Sequence, residues 1–406
     1  MQYALNALVM GYRPLWSADR RISGVQLFLH DSPEEPVDVA HLLRILQETW
    51  APSAPRLLLS PQSPALLKNL LAHIQPCPFW ALEVRGEWLQ WDPGLLAHVQ
   101  YAADKQVHLI WRGPYDHLPT TQEANLFASG LLSLNPQDVI AFLRNPQQLE
   151  QCAFLVEHQM YEDLHSQSLL RCCLERYHAS AIAGWPDEDV LHNLRGAKAL
   201  QPSHEHVLRL MKAVDADQPL DNFEDILSED ALLAYRLMLF ANSAAMGARH
   251  PIDSLRRALV MLGYGPLQRW LANLLTHACE EPDLQPVRQA MVHRAQLTSL
   301  LLDAGVSQEL RSEVYLCGLF SRLDDILGEP LADSLARLPL SERIADAALR
   351  QEGPYAASLQ LAIALEHEGS AAAVRDLCAQ YELSLENVNR TLLRLICSWH
   401  SQQPRW

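Results

Sequence analysis

Residue types that bind metals or attack electrophiles occur in this chain, but few stand at spacings that would let them act together. His204 and His206 flank Glu205. On a helix, residues two apart point about 200° from each other, so the two rings diverge, and no H-E-x-x-H is present to bring a pair onto one face. Asp324 and Asp325 are adjacent. Consecutive helical residues do not face one another, so this pair reads as a solvated face rather than a bridge for metal ions. The eight cysteines stand at 77, 152, 172, 173, 279, 317, 378 and 397, without a C-x-x-C pair. Adjacent Cys172 and Cys173 read as ordinary small core or surface residues, reduced in a cytosolic chain. There is no glycine-rich phosphate loop, no G-x-S-x-G elbow and no zinc-type Cys/His spacing.

The elements that would position any site fall into two regimes. With 406 residues, 49% of them hydrophobic, the chain has the length of two ordinary domains. In the first half, VQLFLH, RLLLS, FWALEV and VHLIW read as buried strands, and VDVAHLLRILQETW between them has helical spacing of apolar residues. That alternation predicts an α/β layer or barrel. From about residue 200 the strand signal ends and a succession of helices follows. Ser228 is the expected N-cap of a helix that carries Leu233, Leu237 and Phe240 on one face. In the next, PIDSLRRALVMLG, Leu255, Ala258, Leu259 and Leu262 form a stripe that ends at Gly263, and Pro266 suits the first turn of the helix after it.

The formal charge of −16 repels phosphate backbones and no Lys/Arg stripe offsets it, so direct nucleic-acid binding is not expected. No uninterrupted apolar run is long enough to span a bilayer, and the first residues lack a basic start and a small-residue cleavage site. A soluble cytoplasmic protein without membrane insertion is the expectation.

The helical half carries a specific pattern in LSEDALLAYRLMLFANSAAMGARHPIDSLRRALVMLGYGPLQRWL: Asn242, Ser243 and Ala244, then Ile252, Ser254 and Ala258, then Leu262 and Gly263. This order resembles the signature of the HDOD domain. Asn242 and Ser243 end one helix, where their expected role is capping. Leu338 to Ser341 and Gly353 extend the resemblance toward the C-terminus. HDOD domains are related to HD phosphohydrolases, in which a His-Asp pair on a helix holds metal ions that activate water. The corresponding position here is Leu319-Phe320-Ser321-Arg322. Ser321 and Arg322 cannot replace an imidazole and a carboxylate, and His293 reads as a packing histidine.

In the first half, RPLWSADRRISGVQLFLH resembles the opening of EAL-type cyclic-di-GMP phosphodiesterase domains, with Pro14, Leu15, Trp16, Gly24 and Leu27 matching. The resemblance puts Gln26 where a catalytic Glu belongs and His30 where an Arg belongs. RLLLS lacks the expected metal-binding Asn, Glu83 is retained, and the Asp-Asp-Phe motif becomes Trp111, Arg112 and Gly113. NPQDVIAFL supplies no general-base Lys, FLVEH retains Val156 and Glu157, and the usual Gln-Gly appears as Ala183-Gly184. An amide is a poor Mg²⁺ ligand compared with a carboxylate, so two retained glutamates do not rebuild a two-metal site.

Together the resemblances imply a degenerate EAL-type (β/α) barrel over residues 1–196, followed by an HDOD helical domain over 197–406. They imply no enzymatic activity, no cofactor and no metal. The expected role is a protein-binding regulatory adaptor in bacterial signal transduction, with a protein partner that the sequence does not name. The alternative is a sensor whose dead barrel still binds cyclic-di-GMP, with Arg13, Arg112, Trp111 and Trp185 as contacts.

Overall fold

The computed structural model describes residues 4–32, 36–135, 137, 139–140, 155–195, 199–247, 250–302 and 307–399. Its contacts divide the chain into two compact units, Met1–Asp189 with Ala364–Trp406, and Val190–Ile363. The expected limit at 196/197 falls on residues outside the described ones. The expectation that everything beyond it joins the helical domain differs from this division, because Ala364–Trp406 packs with the first unit.

The first unit is a closed barrel of eight strands in sequential order: β1 (Leu8–Trp16), β2 (Ile22–Asp31), β3 (Arg56–Pro61), β4 (Trp80–Arg85), β5 (Leu109–Pro114), β6 (Ser129–Ser133), β7 (Met160–Glu162) and β8 (Ala181–Ala183). Strand β1 runs antiparallel to both its neighbours, and the other pairings are parallel. Two of the helices between the strands show how side-chain caps start them. Asp38 accepts from the His41 amide at 2.9 Å ahead of helix Val39–Thr49, and Ser63 accepts from the Leu66 amide at 3.0 Å ahead of Pro64–His73.

Alternation along the strands sorts side chains into inside and outside. Leu15, Leu58, Ala81, Ile110, Leu131, Met160, Ala181 and Ala183 form one buried apolar cluster in the barrel interior, drawn from seven of the eight strands. The residues one step off that phase point outward: Trp111, Leu132, Tyr161 and Ile182 pack with Leu169, Leu170 and Cys173 of the surrounding chain. Gly86 and Gly113 make room for the Trp111 ring, since a Cβ on either would stand 2.6 or 2.7 Å from it.

Strand β1 meets β8 only at Leu15 and Trp16, so its earlier residues have an edge without a strand partner. Helix Leu385–Ser398 fills it. Fully buried Asn389 donates to the carbonyls of Leu5 (2.7 Å) and Leu8 (2.8 Å) and accepts from the Met10 amide (3.1 Å), while Trp399 packs its ring on Tyr12. That pairing is the physical reason the last segment belongs with the barrel.

The second unit is helical. The helix that follows Ser228 has a different cap from the expected one: Ser228 closes the preceding helix Leu220–Ser228, its hydroxyl donating to the Glu224 carbonyl at 2.8 Å. Asp230 caps helix Ala231–Ala241, accepting from the amides of Leu232 (2.9 Å) and Leu233 (3.1 Å). A buried carboxylate serves better here because it also takes the Ser203 amide (2.7 Å) and the guanidinium of buried Arg288 (2.6 Å). Helices Gln285–Leu300 and Gln308–Phe320 approach closely at Gly318, where a Cβ would stand 2.7 Å from the Ala295 Cα. Among the described residues no helix is long and apolar enough to cross a membrane.

Candidate functional site: the barrel mouth

Two residues beyond the apolar layer, the same inward phase of the parallel strands becomes polar. Leu58 is followed by Ser60, Ala81 by Glu83, Ile110 by Arg112 and Met160 by Glu162, all at the C-terminal ends of their strands. This end of a parallel barrel is where loops and strand ends can converge on a ligand.

Arg112 is the centre of the set. Its Nε donates to both Glu162 oxygens (2.9 and 3.1 Å), its Nη2 to Glu162 Oε2 (2.7 Å) and its Nη1 to Glu83 Oε1 (3.1 Å). Glu83 also accepts from the Gln26 amide (2.7 Å) and the Ser60 hydroxyl (2.9 Å), and all three side chains are buried. Arg13 donates to Gln26 Oε1 (2.9 Å), Glu162 Oε2 (2.6 Å) and Asp163 Oδ1 (2.8 Å).

A further carboxylate comes from the C-terminal part of the same unit. Glu368 lies fork to fork on Arg112, with Oε1 2.7 Å from Nη1 and Oε2 2.8 Å from Nη2, and Arg85 Nη2 donates to Oε1 at 2.6 Å. Burial alone would lower the Arg112 pKa, but Glu83, Glu368 and Glu162 more than reverse it and hold the guanidinium charged. Burial likewise pushes Glu368 up, and Arg112, Arg13 and Arg85 outweigh it, bringing Glu368 down to about 2. At His30, burial lowers the pKa against a raising contribution from the Glu368 backbone and charge.

The EAL resemblance implies metal ions at this end of the barrel, and the donor set does not fit them. The oxygens of Glu83 and Glu162 face N–H and O–H donors, and a guanidinium spans the space between the two carboxylates. A cation cannot use oxygens already turned to a positive charge without displacing it.

The structure brings Gln26, Glu83 and Arg112 together and separates other expected residues from them. Trp111 points out of the barrel, opposite to Arg112, as neighbouring strand residues must. Trp185 packs edge-on against Trp16 at 6.1 Å. Glu157 is an exposed turn residue, because the late strand is Met160–Glu162 rather than FLVEH; the carboxylate at the mouth is Glu162. Val156 and Tyr161 close the intervening turn through the Tyr161 hydroxyl. The sixth strand is Ser129–Ser133, and it too contains no lysine. NPQDVIAFL lies after it and falls partly outside the described residues, as do Phe154 of FLVEH and Cys152. Glu162 was detectable by its place two residues after the inward-facing Met160. Glu368 has no such local signal.

In the helical unit the signature residues hold backbone. The Asn242 amide donates to the carbonyls of Met238 and Ile252 and its oxygen accepts from the Ile252 amide, each at 2.9 Å. Ser243 Oγ donates to the Phe240 carbonyl (2.7 Å), Ser254 accepts from the Arg257 amide (3.3 Å), and Gly263 adopts φ +65° where its helix ends. Ser321 closes helix Gln308–Phe320 on the Gly318 carbonyl (2.7 Å), and Arg322 pairs with Asp325 (2.6 Å). His293 is buried in helix Gln285–Leu300, and burial takes its pKa down to about 3. His206 lies 3.4 Å from Glu229 and His204 lies 3.6 Å from Glu280, on different partners.

The chain thus combines an eight-stranded closed barrel that has an arginine-centred polar mouth with a helical region, and the HDOD domain family model matches residues 200–376. Among curated proteins the chain is similar to the cyclic di-GMP phosphodiesterase CdgJ of Vibrio cholerae, 26% identical over 194 residues, which are 47% of this chain and 45% of that protein. It is also similar to the uncharacterized protein YuxH of Bacillus subtilis, 24% identical over 162 residues, 39% of each. The chain spans less than half the length of either relative. Two solved structures overlap it weakly: the MmoQ response regulator of Methylococcus capsulatus, at 18% identity and TM-score 0.40 over 48% of this chain and 98% of that one. The other is the PaMucR phosphodiesterase in complex with c-di-GMP, at 13% identity and TM-score 0.29 over 44% and 89%.

Proposed function

We propose that the chain is a non-catalytic signal-transduction protein, a degenerate EAL-type barrel joined to an HDOD domain, that works as a protein-binding regulatory adaptor in cyclic-di-GMP-linked signalling. The observation that carries this reading is the Arg112 guanidinium between Glu83 and Glu162, which turns the inward carboxylates toward a fixed internal cation. The similarity to CdgJ supports the link to cyclic-di-GMP. On the helical side, Ser321 is spent on closing its helix and Arg322 on Asp325, so the pair does no metal chemistry and the domain acts through its surface. The partner is a protein, and the working compartment is the cytoplasm.

The test is an incubation of the purified full chain with cyclic-di-GMP and Mg²⁺ or Mn²⁺, followed by chromatography for the linear dinucleotide. No product above a protein-free blank is expected. Metal-dependent product that disappears in Glu162→Gln would overturn the proposal. Gln26→Glu alone should restore nothing, because Arg112 still neutralises the neighbouring carboxylates.

A further inference from the structure

Glu368 differs from Glu83 and Glu162, the strand acids bonded to Arg112, in two respects. It comes from the turn between helices Ala356–Leu365 and Ala371–Gln380 rather than from a barrel strand. Its side chain is 28% exposed, against 0% for Glu83 and 5% for Glu162, while Asp163, at 59%, touches only Arg13 at the rim.

The turn is seated for this contact. A Cβ at Gly11 of β1 would stand 3.2 Å from the Leu365 carbonyl oxygen, so the glycine lets the segment lie directly on the strand. Ser370 Oγ donates to the carbonyls of Ala364 and His367, which holds the turn in shape. Glu368 then presents two oxygens to the outer edge of Arg112 while Arg85 reaches the same carboxylate from the side. A guanidinium fork accepts a carboxylate and a phosphate in the same bidentate way.

We infer that Glu368 is a built-in occupant of an anion site made by Arg112 and Arg85, and that this site takes a phosphodiester when the partly exposed Glu368 side chain swings away from Arg112. The inference rests on the barrel being non-catalytic and names how its mouth is regulated. Displacing Glu368 leaves Arg112 paired with Glu83 and Glu162, so the buried charges below stay neutralised. A phosphodiester carries one negative charge per phosphate and restores the count that Glu368 supplied. A phosphate monoester dianion overshoots it.

The experiment is calorimetric titration of the full chain with cyclic-di-GMP, which carries two phosphodiesters, and in parallel with inorganic phosphate. Wild type is expected to give a flat or weak isotherm. Glu368→Ala should bind the dinucleotide about tenfold tighter or more, the factor by which an internal competitor bound nine-tenths of the time lowers apparent affinity. Glu368→Gln should move in the same direction, which covers the case of an alanine variant that folds poorly. Adding Arg85→Ala to Glu368→Ala should remove the gain. A variant with native circular dichroism that binds no better than wild type overturns the inference, as does a gain that survives loss of Arg85. A gain for inorganic phosphate without one for the dinucleotide overturns the phosphodiester assignment. Chromatography of the same samples keeps the two readings apart: product from wild type removes the non-catalytic reading, whereas unchanged binding without product removes only the role of Glu368.

Discussion

Replacing Asn389 with leucine, a side chain of similar size, tests whether one buried amide holds the C-terminal helix to the barrel. Its loss strands the Leu5 carbonyl just ahead of β1, and the Leu8 carbonyl and Met10 amide along the part of β1 that β8 does not reach. Each orphaned buried backbone group costs about 1–3 kcal/mol, so without relaxation the sum is about 3–9 kcal/mol. Carbonyls, with two lone pairs, tolerate the loss better than amides, and leucine regains about 1 kcal/mol of apolar transfer. The expected net is destabilisation of the barrel unit by about 3–5 kcal/mol. Urea unfolding followed by tryptophan fluorescence should register it, since Trp399 sits on Tyr12 beside the lost contacts. Hydrogen exchange should localise it, with the Met10 amide exchanging faster in the variant. A change under about 1 kcal/mol, with Met10 exchange unaltered, would refute the claim that Asn389 replaces a strand partner.

Gly318→Ala should destabilise the helical unit by about 1–3 kcal/mol, because the added methyl meets the Ala295 backbone; an unchanged thermal midpoint would mean the two helices separate without cost. Arg288→Met leaves fully buried Asp230 without its cation and should cost about 3–5 kcal/mol in chemical denaturation. His293 has a folded pKa lowered from 6.5 to about 3, so its contribution is present above pH 6.5 and is lost as pH falls toward 3, where the unfolded chain takes up a proton that the folded one refuses. His293→Leu should therefore flatten the stability profile over that window, and an unchanged slope would contradict the burial argument.

Local pattern determined much of this protein. Short apolar runs such as RLLLS, FWALEV and VHLIW gave the strands, and the two-residue repeat of any strand then implies that Leu58 and Ser60, Ala81 and Glu83, or Ile110 and Arg112 share a face. The stripe Leu255, Ala258, Leu259 and Leu262 and the terminating Gly263 were legible because a helix repeats every few residues and ends by local rules. Those features need only neighbours within one or two turns. Short strands carry too little pattern for this, and so the late acid was read at Glu157 when the three-residue strand Met160–Glu162 delivers Glu162. Ser228 and Asp230 are both competent caps by type, and Asp230 prevails through Ser203 and Arg288, which local sequence does not connect.

What only the tertiary structure decided is the state of the mouth. Strand alternation puts Arg112 on the inward face, but whether that guanidinium opens to solvent or is neutralised depends on Glu162 and Glu368, 50 and 256 residues away. Likewise Asn389 shows no sign in its own helix of serving β1, 379 residues distant from it at Met10. Charge pairing and edge satisfaction act through space over a few ångströms, and chain separation of that size erases them from any local pattern.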